Sequence, residues 1–305
     1  MKDRPAPTPV TWTIPDAGRS GQTRTVAGLD YGGDGPPILL HHANGFCAGM
    51  WGLVAPALTA RYRVLAMDAR GHGDSDPCAV PEEADWSFFA EDVVQVASAI
   101  ARTHGVERLP LGIGSSFGGI VSAAAESRSP GLFERLVLLD PPFFPSNKIN
   151  AAFGLPPPEM EGDERREFLV TSTKKRRREW PSADALYEAW KDKPLALPWA
   201  EGGLGLYLTH GFREADDGTM HLKCDPAVEG HIFATTGQLD PVDFGPGVSV
   251  PLHMVRARGG HSPDGFLEAL CTFFPEAAYH EIDGGHLLPL EVPEACVELI
   301  ESLAG

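Results

Sequence analysis

The stretch Leu109-Pro-Leu-Gly-Ile-Gly-Ser-Ser-Phe-Gly-Gly-Ile120 decides the fold. A short apolar segment runs into Gly114-Ser115-Ser116-Phe117-Gly118, a G-x-S-x-G pattern, and then into the small-residue segment Val121-Ser-Ala-Ala-Ala-Glu126. This reads as strand, tight turn and helix, with Ser116 at the apex. A serine held in a strained backbone conformation needs neighbours without a Cβ, so that strand and helix can approach closely. The turn holds the hydroxyl above the carboxyl end of a sheet, beside the positive end of a helix. Ser116 is therefore the candidate nucleophile. A phosphate loop explains the stretch less well, because no Gly-Lys-Ser/Thr follows.

On either side of this turn the chain alternates. Residues 9–14 and 22–31 predict an opening hairpin that turns near Pro15-Asp-Ala-Gly18. Buried strands are predicted at Ile38–His41, Arg63–Asp68, 109–113 and Arg135–Asp140, with a helix over about Trp51–Thr59. Residues 86–104 predict an amphipathic helix, with Phe89, Val93, Val96, Ala97 and Ile100 on one stripe. Strand alternating with helix signals a parallel sheet covered on both faces. The alternation breaks from Pro141 to about Gly247, where helical, charged and aromatic segments show no convincing strand. It resumes at Val248–Val255 and Ala277–Ile282 and ends in a helix over 291–303. The expected fold is α/β: a mostly parallel, eight-stranded twisted sheet with helices on both faces. Its core comprises residues 1–140 and 248–305, and a helical cap is inserted at 141–247.

Composition narrows the class. The 305 residues carry a formal charge of −17, which argues against nucleic acid and anionic membranes as partners. The opening Met-Lys-Asp-Arg-Pro-Ala-Pro-Thr-Pro has no apolar leader, and no run of about 18 apolar residues occurs, so a cytoplasmic protein without membrane insertion is expected. Five scattered cysteines without C-x-x-C spacing predict reduced thiols and no metal site. No organic cofactor is implied.

A serine hydroxyl needs a base within hydrogen-bond reach and a group that orients the base. His286, in Ile282-Asp-Gly-Gly-His-Leu-Leu-Pro-Leu-Glu291, follows the last predicted strand on a flexible loop and is the best placed of the 11 histidines. Four pieces then stand in order at strand ends: His42-Ala-Asn-Gly-Phe46, Asp68-Ala-Arg-Gly-His-Gly-Asp-Ser75, the serine turn, and Gly284-Gly-His-Leu-Leu-Pro-Leu-Glu291. With these the chain resembles the α/β-hydrolase fold enzymes, over nearly all of its length outside the cap, and among them the capped, carboxylesterase-like serine hydrolases.

The resemblance implies an oxyanion hole made by the backbone N–H groups of Phe117 and Phe46. Ala43-Asn44 departs from the usual His-Gly pattern, which makes Asn44 the alternative second donor. His41, His42, His72 and Arg70 are expected to brace loops. The resemblance places the acid after the strand that follows the cap, in a Gly-x-x-Asp stretch, but Arg258-Gly-Gly-His-Ser262 has serine there. Asp140, 24 residues after Ser116 in the sequence and at the end of the next strand, is the first choice. Asp264 is the fallback, with Asp240 and Asp243 as outsiders. Ser115 is expected to be a bystander, and Glu91 and Asp92 to lie on a solvated helix face or serve as caps.

Asn44, Trp51, Phe143 and Leu287 are the candidate pocket residues, and Phe46, Phe117 and Phe143 are placed at the site by their neighbours in sequence. Most cap aromatics are expected to form the cap's own core. The basic run Lys174-Lys-Arg-Arg-Arg178 is expected on a solvated helix face. Together these residues imply a serine hydrolase acting on a small-molecule ester with a hydrophobic acyl or alcohol group, through an acyl-enzyme. A carbon–carbon bond hydrolase, a lactonase and a non-catalytic receptor are the alternatives, and a homodimer is left open. Dehalogenase and epoxide-hydrolase chemistry is disfavoured, because both call for an aspartate at position 116.

Overall fold

The computed structural model describes residues 6–158 and 161–303. Met1–Pro5, half of the opening segment read for a leader, lie outside the described residues. The hairpin pairs β1 (Thr8–Pro15) with β2 (Thr23–Gly32) in antiparallel register, Trp12 opposite Val26. The strands β3 (Pro37–His41), β4 (Arg63–Met67), β5 (Gly112–Ser115) and β6 (Leu136–Leu139) follow. A long insert then intervenes, with β7 (Glu179–Trp180), β8 (Phe212–Glu214) and β9 (Met220–Leu222), before β10 (Leu252–Ala257) and β11 (Ala277–Ile282) complete the set. The main sheet has eight strands in the order β1-β2-β4-β3-β5-β6-β10-β11. From β4 to β11 neighbouring strands are parallel. This is the α/β-hydrolase architecture expected from the sequence.

Every residue of β3, β5 and β6 is buried, as parallel strands covered on both faces require. Alternate side chains feed two cores. Leu39 joins Val93, Val96 and Ile100 on one face. Ile38 and Leu40 join Trp51, Leu288 and Ile300 on the other. The helix Trp86–His104 supplies the stripe read from its sequence. Asp85 caps it by accepting the Ser87 N–H at 2.8 Å, and Gly105, at φ +67°, ends it. Removing such an N-cap costs about 1 kcal/mol.

Three expectations are corrected. Strand β5 begins at Gly112, and Leu109 forms an isolated bridge to Phe133; Pro110 between them has no N–H for a ladder. Asp92 is not on a solvated face. It is buried and accepts two hydrogen bonds from the equally buried Arg70, at 2.7 and 2.6 Å, which compensates both charges. The insert between β6 and β10 is not wholly helical. Besides the helices Asn147–Ala152, Glu161–Lys174, Ala183–Trp190, Gly203–Gly211 and Pro226–Ala234 it holds a small antiparallel sheet in the order β7-β9-β8. Strands of two or three residues carry no readable period. Trp180, Trp190, Tyr207 and Phe212 pack edge to face inside the insert, the use expected for most of its aromatic residues. No helix among the described residues is long and apolar enough to cross a membrane.

Candidate active site

Parallel register levels the site. Ser115 pairs with Leu139 across β5 and β6, so the next residues, Ser116 and Asp140, leave the sheet side by side at its carboxyl edge. The Ser116 N–H donates to Leu139 O at 2.8 Å, and the Asp140 N–H donates to Val255 O at 2.7 Å. Both then turn sharply. Ser116 has φ +55° and Asp140 φ +46°, and they are the only non-glycine residues with positive φ among those described. Each such conformation costs roughly 1–3 kcal/mol and persists only where the surroundings impose it. A Cβ at Gly114 would come within 2.3 Å of Gly119 N, and one at Gly118 within 2.6 Å of the His41 and His42 carbonyl oxygens. The two glycines of the motif are thus required for closeness, as the sequence implied.

His286 reaches this edge from the loop after β11. Its Nε2 lies 2.8 Å from Ser116 Oγ, and its Nδ1 2.6 Å from Asp140 Oδ2. The other Asp140 oxygen accepts the Ala257 N–H at 3.0 Å. With a carboxylate as acceptor, Nδ1 carries the proton and Nε2 offers its lone pair to the serine hydroxyl. Glu291 fixes the loop by accepting the N–H groups of Gly285 and Leu287, at 2.8 and 3.0 Å, on either side of the histidine. Glu291 has no role in the sequence pattern; a carboxylate five residues after His286, on the helix Leu288–Glu291, is the signal that marks it.

The remaining acid candidates lie elsewhere. Asp264, the fallback, is 94% exposed and pairs with Arg256. Asp240 caps the turn at Val242, and Asp243 pairs with Lys148. The Arg258–Ser262 loop contributes a ring instead of an acid: His261 packs at a tilt against His286 with centroids 4.7 Å apart.

The expected oxyanion donors divide. Phe117 opens the helix Phe117–Arg128, and its N–H has no acceptor among the described residues. The Phe46 N–H, by contrast, already donates to Ala43 O at 3.1 Å. The tight turn at Ala43–Phe46 consumes it. The Asn44 backbone N–H has no acceptor among the described residues, which leaves the sequence's alternative as the free donor of this loop.

The loop itself is wired to its surroundings through neutral histidines. His42 Nε2 accepts the Ala69 N–H at 2.9 Å, and His72 Nε2 accepts the Gly45 N–H at 3.1 Å. Burial lowers His41 and His72 to about 4 and His42 well below its usual range. They brace, as expected. Burial also raises Asp68 to about 6, against the N–H groups of Ala48 and Asp74 that its carboxylate accepts.

Of the four pocket candidates, Phe143 lines a small cleft together with Trp86, Ile120, Phe144 and Leu239. Ile120 lies one helical turn from Ser116. Leu287 adjoins His286 and is buried. Trp51 is fully buried, in the core cluster that also holds Leu40 and Ala66 of the sheet. The Asn44 side chain donates to Glu229 O at 3.1 Å. The basic run is corrected. It begins at the last residue of its helix, and Arg176 turns inward to Glu229 and Tyr207 while its four basic neighbours stay exposed.

Comparison with known proteins agrees with this fold. The chain is 35% identical over 111 residues to a pimeloyl-[acyl-carrier protein] methyl ester esterase from Methylococcus capsulatus, covering 36% of this chain and 39% of that protein. It is 36% identical over 110 residues to a fluoroacetate dehalogenase from a Burkholderia species, covering 36% and 35%. The chain thus aligns with well under half the length of either relative. The crystal structure of E-2-(acetamidomethylene)succinate hydrolase superposes over 97% of this chain and 98% of that one, with a TM-score of 0.72 at 17% identity, a likeness of fold. The model of the alpha/beta hydrolase family matches residues 38–299, and the chain belongs to that family.

Proposed function

We propose that this hydrolase cleaves carboxylic esters with a hydrophobic acyl or alcohol group through an acyl-enzyme intermediate. The observation that carries the reading is the unbroken chain Ser116 Oγ, His286 Nε2, His286 Nδ1, Asp140 Oδ2, at 2.8 and 2.6 Å. In the first step Ser116 Oγ attacks the ester carbonyl as His286 Nε2 takes its proton. Asp140 stays ionised and stabilises the imidazolium. The N–H groups of Phe117 and Asn44 donate to the developing oxyanion, and the imidazolium protonates the departing alcohol. Water, deprotonated by the same nitrogen, then releases the acid. Loss of one oxyanion donor typically costs about 10²–10³ in rate.

The apolar cleft beside Ile120 and Phe143 favours a hydrophobic acyl chain over a charged one. A serine at position 116 disfavours the halide displacement named for the Burkholderia relative, which would call for a carboxylate nucleophile. Turnover of p-nitrophenyl acyl esters of graded length tests the reading, with lactones and vinylogous diketones alongside. Ester turnover that vanishes in Ser116→Ala supports it. Faster turnover of a lactone or diketone moves the activity to that bond, and no turnover with no fluorophosphonate labelling overturns the nucleophile.

A further inference from the structure

Resting on this ester-hydrolase reading, we propose that Arg176 is a positioning residue: through Glu229 and Tyr207 it holds the Asn44–Phe46 loop where the Asn44 N–H meets the oxyanion. The insert meets this loop at three consecutive residues. Asn44 Nδ2 donates to Glu229 O at 3.1 Å. Gly45, at φ +79°, lies flat against the Glu229 carboxylate, so close that a Cβ there would stand 2.6 Å from Oε1. The Phe46 ring packs on Tyr207 and Trp199, with centroids 5.2 and 5.9 Å apart. One guanidinium joins the two insert groups. Arg176 Nη1 pairs with Glu229 Oε2, and Nη2 donates to the Tyr207 hydroxyl at 2.6 Å.

An ordinary ion pair at the insert surface would be exposed and nearly neutral in effect. This pair is neither remote nor open: Glu229 is 9% exposed and Arg176 21%. A carboxylate buried at that depth, once stripped of its counter-charge, protonates or rotates toward water. Either response vacates the surface on which Gly45 rests. Lysine does not substitute, because a single ammonium cannot fork to both partners in one plane. A displacement near 1 Å in a donor of developing charge is felt in the transition state and hardly in ground-state binding.

The test uses the full chain as wild type, Arg176→Ala, Arg176→Lys and Tyr207→Phe. It measures the rate of fluorophosphonate labelling at Ser116, kcat and KM for a p-nitrophenyl ester, the pH profile, and thermal melting. Arg176→Ala is expected to lower labelling and kcat together by about 10- to 100-fold, with KM within about threefold of wild type and the acidic limb of the profile unmoved. Tyr207→Phe, which keeps the ring and removes the hydroxyl, is expected to fall in the same direction by less. If Arg176→Ala does not melt cooperatively, Arg176→Lys and Tyr207→Phe decide. Variants that label and turn over at the wild-type rate, or that change KM alone, overturn the inference while the ester-hydrolase reading stands. A wild type that neither labels nor turns over ester overturns both.

Discussion

The carboxyl edge of the sheet and the insert above it are built on different principles. At the edge, Ser116 and Asp140 are placed by backbone register, each bonded to the neighbouring strand in the residue before its turn. Covalent geometry and ladder hydrogen bonds set their separation, and close packing then imposes the positive φ. The insert bears on the neighbouring Asn44–Phe46 loop through an amide to a carbonyl and packed rings, held in turn by an ion pair inside the insert. Backbone-placed groups are all-or-none, whereas side-chain contacts are adjustable. Chemistry belongs to the first region and fine geometry to the second.

The contrast is sharpest at the nucleophile. Ser116→Ala is expected to lower kcat on p-nitrophenyl esters by about 10⁶ without lowering the melting temperature, since the deleted hydroxyl supports no core contact. Retained turnover would break the comparison at its root. Asp140→Asn is expected to cost about 10⁴ in kcat by favouring the wrong histidine tautomer, while Asp264→Asn, at an exposed ion pair, leaves kcat/KM unchanged. The reverse result would return the acid to the loop after β10.

Acid should attack the loop beneath the insert. His41 and His72, ordinarily near 6.5, are lowered to about 4 by burial, and His42 is lowered well below its usual range. The unfolded chain therefore binds protons first as pH falls from 6.5 toward 4, and stability is lost through that window. Each of His41 and His72 contributes at most on the order of 3 kcal/mol. Asp68, raised to about 6, works in the opposite sense between about 6 and its ordinary 3.8, as do Asp92, Glu126 and Glu229, raised by burial. His210, His253 and His280, lowered by burial, add to the histidines' side. Melting temperatures measured across this window are expected to drop; a flat profile would mean that the histidines are not held neutral. The smallest effect is expected from the cleft: Phe143→Ala should raise KM about tenfold for a hexanoate ester and hardly at all for an acetate. Equal changes for both would remove Phe143 from the acyl site.

Much of this was legible in the chain. The G-x-S-x-G turn, the capped helix after Asp85 and the histidine following the last strand are local patterns, and local sterics enforce them. Asp140 was legible by spacing, because one helix and one strand of known rise return the chain to the same edge. Phe46 misled because its amide is consumed inside a four-residue turn, which residue types do not announce. Arg176 hid in a run of five basic residues, where sequence cannot say which one points inward. Asp92 looked like any helix carboxylate until Arg70 met it.

Sequence by itself therefore determined the sheet, the strained serine and its distant base, since these follow from periodicity, glycine sterics and strand order. Only the tertiary structure decided which carboxylate faces His286, which amide of the first loop stays free, and which arginine braces it. Those choices depend on side-chain directions and hydrogen-bond competition between segments far apart in the chain, and a linear pattern carries neither.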